Sequence, residues 1–146
     1  MKLINDKLII CELDEHSIQL FTGNSYIKRT GELVMGRGIA RYVRDTFNQV
    51  PAELGKQINH MSVYGLKFTN TTGFWIGSFQ VKRHYAKPAE LSIVQYSTDA
   101  LHTVAQDHPD MTFHMNYPAI GYGRMDVTDI EPIVNSLPDN VILYKI

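Results

Sequence analysis

The chain has little cysteine and no long apolar run. Cys11 is the single cysteine among 146 residues, so no internal disulfide can form and we expect a reducing, cytoplasmic location. The longest apolar runs, such as residues 8–11, fall far short of the roughly 20 residues that span a bilayer. Residues 1–7 contain charges where the apolar core of a signal peptide would be needed. The sequence therefore gives no reason to expect a membrane partner.

Net charge is also nearly absent. The formal net charge is -1, which gives no basis for general nucleic-acid binding. The six histidines are scattered without the spacing of a metal site, so we expect neither a metal nor another cofactor. One local basic group stands out against this background, formed by Lys82, Arg83, His84 and Lys87.

In other respects the composition is that of an ordinary globular protein. Hydrophobic residues account for 44% of the chain and charged residues for 20%, which excludes an intrinsically disordered segment. A length of 146 residues allows one sizeable core but not two. We therefore expect a single domain over residues 1–146.

Apolar periodicity predicts alternating strands and helices. The predicted strands are residues 7–13, 17–22, 74–79, 111–116 and 141–144. The predicted helices are residues 36–47, a short one from residue 51, a longer one from residue 88 to about residue 107, and residues 129–137, in which Pro132 is acceptable only in the first turn. Such alternation predicts an α/β fold with a mixed or mostly parallel sheet. Ligands of such folds bind at the carboxyl ends of the strands.

The loop before the first predicted helix contains a Gly-x-Gly triplet. Gly36, Arg37 and Gly38 follow a strand and open a helix, an arrangement that presents backbone N–H groups to a phosphate. The triplet alone is weak evidence for a phosphate site and favours a purely structural turn. It is not a dinucleotide fingerprint, because Arg41 occupies the position of the third glycine, and no Gly-Lys-Ser/Thr follows as a P-loop would require.

A second Gly-x-Gly loop follows the predicted strand at residues 111–116. Here Gly121, Tyr122 and Gly123 lie between a strand and a helix. Tyr122 could offer an aromatic face and a hydroxyl group to a sugar. Two such loops after different strands of one small sheet predict a cleft with anion-binding rims on both sides, which favours a diphosphate ligand.

These two loops carry a resemblance to a known family. Residues 34–40 resemble the Met-Gly-x-Gly-Ile-Ala segment of macro domains, and residues 117–123 are similar to the second phosphate loop of that family, Pro-x-Ile-Gly-x-Gly. The resemblance extends from about residue 21 to the end of the chain and is most specific in the second loop. It implies a three-layer α/β/α sandwich with a central mixed sheet that binds ADP-ribose. The branch that looks most similar contains the terminal ADP-ribose protein glycohydrolase.

The resemblance also implies a set of ligand-binding residues. An aspartate after the first strand of the family contacts adenine, and Asp14 is the candidate here, although its neighbours depart from the family pattern. Asn24 lies where many macro domains carry an asparagine that orients the distal ribose, within Gly-Asn-Ser in place of the family's Asn-Ala-x-Asn. The residues implied for the two loops are Met35, Gly36, Arg37, Gly38, Ile39 and Ala40 in the first, and Pro118, Ile120, Gly121, Tyr122, Gly123 and Arg124 in the second.

In the glycohydrolase branch, a lysine attacks the distal ribose with help from an aspartate of the second loop. Lys82 and Asp126 match these two residues, each across a one-residue gap. A lysine is a nucleophile only when its amine loses a proton, which desolvation or a neighbouring cation such as Arg83 would promote. Without such an environment, Lys82 is a solvated strand end and Asp126 a helix cap.

Three functions therefore remain open from the sequence. The chain could hydrolyse ADP-ribose derivatives, either by removing ADP-ribose from a modified target or as an ADP-ribose 1″-phosphate phosphatase acting through His84 or Asp126. It could read ADP-ribose without chemistry, although its short length favours an enzyme. It could also bind an unrelated nucleotide or no ligand, and use its glycine loops only for packing or for oligomer contacts. In the first two cases the partner is ADP-ribose or an ADP-ribosylated molecule.

Overall fold

Six strands and four helices form the fold in the computed structural model, which describes residues 1–146. The strands are β1 (Lys2–Ile4), β2 (Ser17–Gly23), β3 (Leu66–Thr69), β4 (Ile76–Gln80), β5 (Thr112–Asn116) and β6 (Val141–Tyr144). The helices are α1 (Gly38–Thr46), α2 (Val50–Gly55), α3 (Leu91–Asp107) and α4 (Val127–Val134).

All six strands belong to one mixed sheet in the order β1-β6-β5-β2-β4-β3. Every neighbouring pair is parallel except β3 and β4, which are antiparallel. The carboxyl ends of β2, β4 and β5 therefore lie side by side at one edge of the sheet. Because ligands of open α/β sheets bind at this edge, the topology places the loops that follow these three strands where a site is expected.

Two separate apolar cores lie on opposite faces of the sheet. Successive residues of a strand point to opposite faces, and in β2 Leu20 enters one core while Phe21 enters the other. The Leu20 core contains Val94 of α3 and Ile130 of α4. The Phe21 core is covered by α1 and α2. The expected three-layer α/β/α sandwich with a mixed central sheet is confirmed.

The strand predicted for residues 7–13 is not present. Leu8 and Ile10 are buried and Ile9 is exposed, so the alternation that predicted a strand is real, but the segment joins no strand through its backbone. The buried side chain of Gln19 provides hydrogen bonds to this segment in place of a neighbouring strand. Its Oε1 accepts the backbone N–H of Cys11 at 3.0 Å, and its Nε2 donates to the backbone oxygen of Cys11.

Other boundaries differ for physical reasons. The edge strands β1 and β3 were not predicted, since β1 is three exposed residues and β3 is four residues long, too short for either to show a period. The last predicted helix begins earlier, at Val127, which places Pro132 beyond the first turn. Proline has no N–H to donate there, and the helix ends two residues later at Val134. No helix combines the length and apolarity needed to cross a membrane.

Candidate functional site

A cleft of about 530 Å³ opens at the carboxyl ends of β2, β4 and β5. Its floor contains strand-end residues, and its two sides are the two glycine loops. The lining residues are Thr22, Gly23, Val34, Gly36, Arg37, Gly38, Ile39, Ala40, Val81, Lys82, Tyr85, Asn116, Tyr117, Ala119, Gly121, Tyr122, Gly123 and Ile146. The structure thus brings both glycine loops and Lys82 together in one cavity.

The first side of the cleft is the amino-terminal end of α1. Arg37 is the N-cap residue and makes no side-chain cap hydrogen bond. The first N–H of the helix to bond is that of Arg41, which donates to the Arg37 carbonyl at 3.2 Å, so the preceding N–H groups remain for a ligand. Gly38 has a φ of +58°, a conformation that favours glycine.

Two residues that were predicted to bind the ligand on this side are instead buried and support the first loop from inside the protein. The Asn24 side chain is buried. Its Oδ1 accepts the Tyr26 N–H at 2.8 Å and its Nδ2 donates to the Val34 carbonyl at 3.0 Å, so both ends of the amide brace the loop. Met35 is buried in the Phe21 core. Neither side chain lines the cleft.

The second side is the loop from Tyr117 to Asp126. Its left-handed residues are Ala119 (φ 68°) and Arg124 (φ 62°) rather than its glycines, and such conformations in non-glycine residues cost roughly 1–3 kcal/mol each. Gly123 is required for another reason. A Cβ at Gly123 would lie 2.5 Å from the Ala119 carbonyl oxygen, whereas one at Gly121 would meet nothing within 4 Å.

Lys82 lies between the two sides. It lies two residues after the end of β4 and is 9% exposed. Its Nζ donates to the carbonyl oxygens of Lys87 at 3.0 Å, Tyr122 at 3.2 Å and Tyr85 at 3.5 Å. No carboxylate lies within ion-pair distance of it. A buried ammonium without a counter-ion is unusual, which marks this lysine as a functional candidate.

The charge state of Lys82 reflects this environment. Burial lowers the pKa of its amine, and the Arg124 and Arg37 guanidiniums lower the pKa further by repulsion. The three carbonyl acceptors favour the ammonium and oppose this shift. The net direction is toward a more readily deprotonated amine, which is the property a nucleophilic lysine needs.

The structure does not bring two predicted residues to the cleft. Asp126 is the exposed N-cap residue of α4, without a side-chain cap hydrogen bond and without an ion pair to Lys82. Asp14 lies before the amino end of β2, at the opposite edge of the sheet from the glycine loops. It accepts hydrogen bonds from the His16 N–H and the Ser17 hydroxyl and lines a separate cavity of about 260 Å³.

The remaining predicted residues lie in the second loop but do not line the cavity. Pro118 is buried, and Ile120 packs against the Leu20 core, so both support the loop from inside. Arg124 is exposed and acts on the site through its charge on Lys82.

Several cleft residues were not predicted from the sequence. Tyr85 stacks on His84 with ring centroids 4.4 Å apart and meets the edge of Tyr26, forming an aromatic rim beside Lys82. Asn116 donates to the Thr22 hydroxyl at 3.2 Å, and its Oδ1 is buried without a partner. The position of Thr22 and Asn116 at the ends of adjacent parallel strands was the available signal for them.

The fold is an α/β/α sandwich with a cleft at the carboxyl ends of its strands, and comparison with solved structures gives the type of fold. The chain is similar to the macrodomain of Mycobacterium tuberculosis DarG, with 19% identity and a TM-score of 0.71 over 99% of this chain and 97% of that one. The macrodomain of Thermus aquaticus DarG gives 16% identity and a TM-score of 0.70 over 99% and 95% of the two chains.

A third similar structure is Thermosipho africanus DarTG in complex with ADP-ribose. It shows 17% identity and a TM-score of 0.65, and the match covers 88% of this chain but 38% of that one. No protein-family model and no curated protein matches the chain. Identities this low show a shared fold, so the chain has the macrodomain fold that its two loops predicted.

Proposed function

We propose that the chain binds ADP-ribose in this cleft and removes it from a modified target, with Lys82 as the nucleophile. The observation that carries the proposal is the buried Lys82 ammonium, which lies without a carboxylate partner between two loops suited to a diphosphate. The catalytic part places the chain with the glycohydrolase branch that its sequence resembles.

The diphosphate is the best supported part of the ligand. The open N–H groups at the start of α1 and the positive end of the helix dipole favour an anion. The Arg37 and Arg124 guanidiniums add two positive charges near Lys82, and guanidinium pairs well with phosphate oxygens. The complex of Thermosipho africanus DarTG with ADP-ribose, in a similar structure, supports ADP-ribose as the compound.

Calorimetric titration with ADP-ribose tests binding directly. We expect a dissociation constant in the micromolar range, about -8 kcal/mol, because the cleft is preformed and offers cations and backbone donors to both phosphates. Adenosine, which lacks the phosphates, is the matched control and should bind much more weakly. If millimolar ADP-ribose produces neither heat nor a thermal shift, the binding proposal fails.

The proposed reaction begins when the neutral Lys82 amine attacks the anomeric carbon of the distal ribose. A carbon–nitrogen bond forms as the bond to the target breaks, and the target leaves with its bonding electrons and takes up a proton. Water then hydrolyses the lysine adduct and frees ADP-ribose. The lowered pKa of Lys82 supports this role because the amine must be unprotonated to attack.

Replacing Arg124 with glutamine should move the pH dependence of turnover. Of the two guanidiniums that lower the Lys82 pKa, Arg124 has the larger effect, so its removal should raise that pKa. A raised pKa leaves less neutral amine at a given pH, and the ascending limb of kcat/KM against pH should shift to higher pH. Arg29→Gln removes a surface charge outside the cleft and should leave the profile in place. An unshifted limb in Arg124→Gln would argue against Lys82 as the titrating nucleophile.

The second candidate is a reader that binds ADP-ribose without chemistry. One observation favours it, namely that the Asp126 carboxylate is exposed and unpaired with Lys82, so no acid or base supports the amine. The phosphatase alternative has less support. The Nδ1 of His84 is engaged by the Ala86 N–H at 3.0 Å, and Asp126 lies outside the cleft, so neither is placed to activate water. Turnover measurements on Lys82 variants separate the reader from the enzyme.

A further inference from the structure

The hydrogen bonds of Lys82 divide into two kinds by their origin. An ammonium has three protons to donate, and Lys82 finds three carbonyl acceptors. Two of them, on Tyr85 and Lys87, belong to the segment that directly follows Lys82. The third, on Tyr122, belongs to the opposite loop and is the one bond that ties Lys82 across the cleft.

A neutral amine cannot keep all three bonds. It has two protons and one lone pair, so one carbonyl must withdraw, and the lone pair then points to the place that this carbonyl vacates. The Tyr85 and Lys87 carbonyls are held in a tight turn by a backbone bond, in which the Lys87 N–H donates to the His84 carbonyl at 3.1 Å. The Tyr122 carbonyl belongs to the opposite loop, so its bond to Lys82 is the one that depends on how the two sides of the cleft lie against each other.

The Tyr122 side chain connects this carbonyl to the first loop through contacts of its ring. The Cζ of Arg37 lies 5.1 Å from the centroid of the Tyr122 ring, within the range of a cation–π contact. The ring also lies 3.8 Å from the position that a Cβ on Gly38 would take. Tyr122 thus bridges the cleft over the amino-terminal end of α1, where a phosphate would bind and compete for Arg37.

We propose that Tyr122 is a positioning residue: its ring, in contact with Arg37 and beside Gly38, keeps its carbonyl on Lys82, so that the amine stays a fully hydrogen-bonded ammonium. Its catalytic meaning rests on the function proposed above. Where the Tyr122 carbonyl leaves Lys82, the amine loses one of its three acceptors, and the lone pair of the neutral form faces across the cleft.

Site-resolved reductive methylation with formaldehyde and cyanoborohydride tests this in the protein without nucleotide. The rate at Lys82, read by peptide mass spectrometry, is compared with the rate at the exposed Lys56. Tyr122→Ala should raise the Lys82 rate about tenfold, the factor for one lost hydrogen bond to a charged group, and leave Lys56 unchanged.

Tyr85→Ala is the matched control. Tyr85 is also an exposed cleft tyrosine whose carbonyl accepts from Lys82, but its ring stacks on His84 instead of reaching Arg37, so we expect little change. Tyr122→Phe keeps the ring face and should behave as the unmodified protein. An unchanged Lys82 rate in Tyr122→Ala, or an equal rise in Tyr85→Ala, would overturn the holding role. Failure of ADP-ribose to bind in calorimetry would reject the proposed function and leave the Tyr122→Ala result standing.

Discussion

Lys82→Ala is expected to reduce kcat/KM for an ADP-ribosylated substrate by about 10³-fold or more, the scale seen when a nucleophile is removed. ADP-ribose affinity should stay within a few-fold, because the diphosphate and adenine supply most of the ground-state binding, whereas the amine acts in the transition state. Release of ADP-ribose measured by chromatography gives the rate, and calorimetry on the same samples gives the affinity.

Lys82→Arg separates nucleophilicity from charge. A guanidinium cannot be deprotonated in a protein, so this variant should be as inactive as Lys82→Ala although it keeps the positive charge. Lys56→Arg, a surface replacement just after α2 and outside the cleft, should retain full activity. Turnover by Lys82→Arg would mean that the charge matters and the amine does not, which would favour attack by water. Absence of turnover in the unmodified protein, with normal ADP-ribose binding, would favour the reader.

Gly123→Val should weaken ADP-ribose binding by roughly 100-fold, equivalent to about two charge-assisted hydrogen bonds. A Cβ at Gly123 would press into the backbone of Ala119 at 2.5–2.8 Å, and backbone cannot move aside as the end of a side chain can. The second loop would have to open and would lose its phosphate-binding shape. Calorimetry measures the loss, and circular dichroism should show that the sheet and helices survive.

The same loop supplies the control for this prediction. A Cβ at Gly121 would meet no protein atom within 4 Å, so Gly121→Ala should leave the shape of the loop intact and weaken ADP-ribose binding less than Gly123→Ala does. Gly123→Ala should already show most of the effect of valine, since the first carbon makes the clash. If Gly121→Ala and Gly123→Ala bind equally well, the packing of Gly123 on Ala119 is not what shapes the loop.

The sequence was sufficient for the elements with a clear period. β2, β5 and β6 and the two helices α1 and α3 were predicted because they alternate or repeat over enough residues to be distinct. The segment at residues 7–13 shows the limit of that reasoning. It has the burial pattern of a strand, yet the Gln19 side chain, and no neighbouring strand, bonds the backbone of Cys11. A hydrogen bond from one side chain leaves no periodic pattern in the sequence.

The sequence likewise predicted some residues of the site and missed others. The two glycine loops were found because positive φ and close backbone approach restrict the residues that fit, although the strain lies at Ala119 and Arg124 rather than at the glycines. Asp14 was assigned by position in the chain, and the structure places it at the opposite edge of the sheet. The carbonyls of Tyr85, Lys87 and Tyr122 around Lys82 could not be predicted, because any residue carries a backbone carbonyl.

The two apolar cores have a consequence for how such a cleft can diversify. Leu33, Met35 and Ala40 root the first loop in the core beneath α1 and α2. Tyr117 and Ala119 root the second loop in the core beneath α3 and α4. The central sheet separates these two cores, so a substitution in the core beneath one loop leaves the core beneath the other loop unchanged. The anchoring core of each half can thus change by itself in evolution, whereas Tyr122, which contacts Arg37 across the cleft, couples the two loops at their surface.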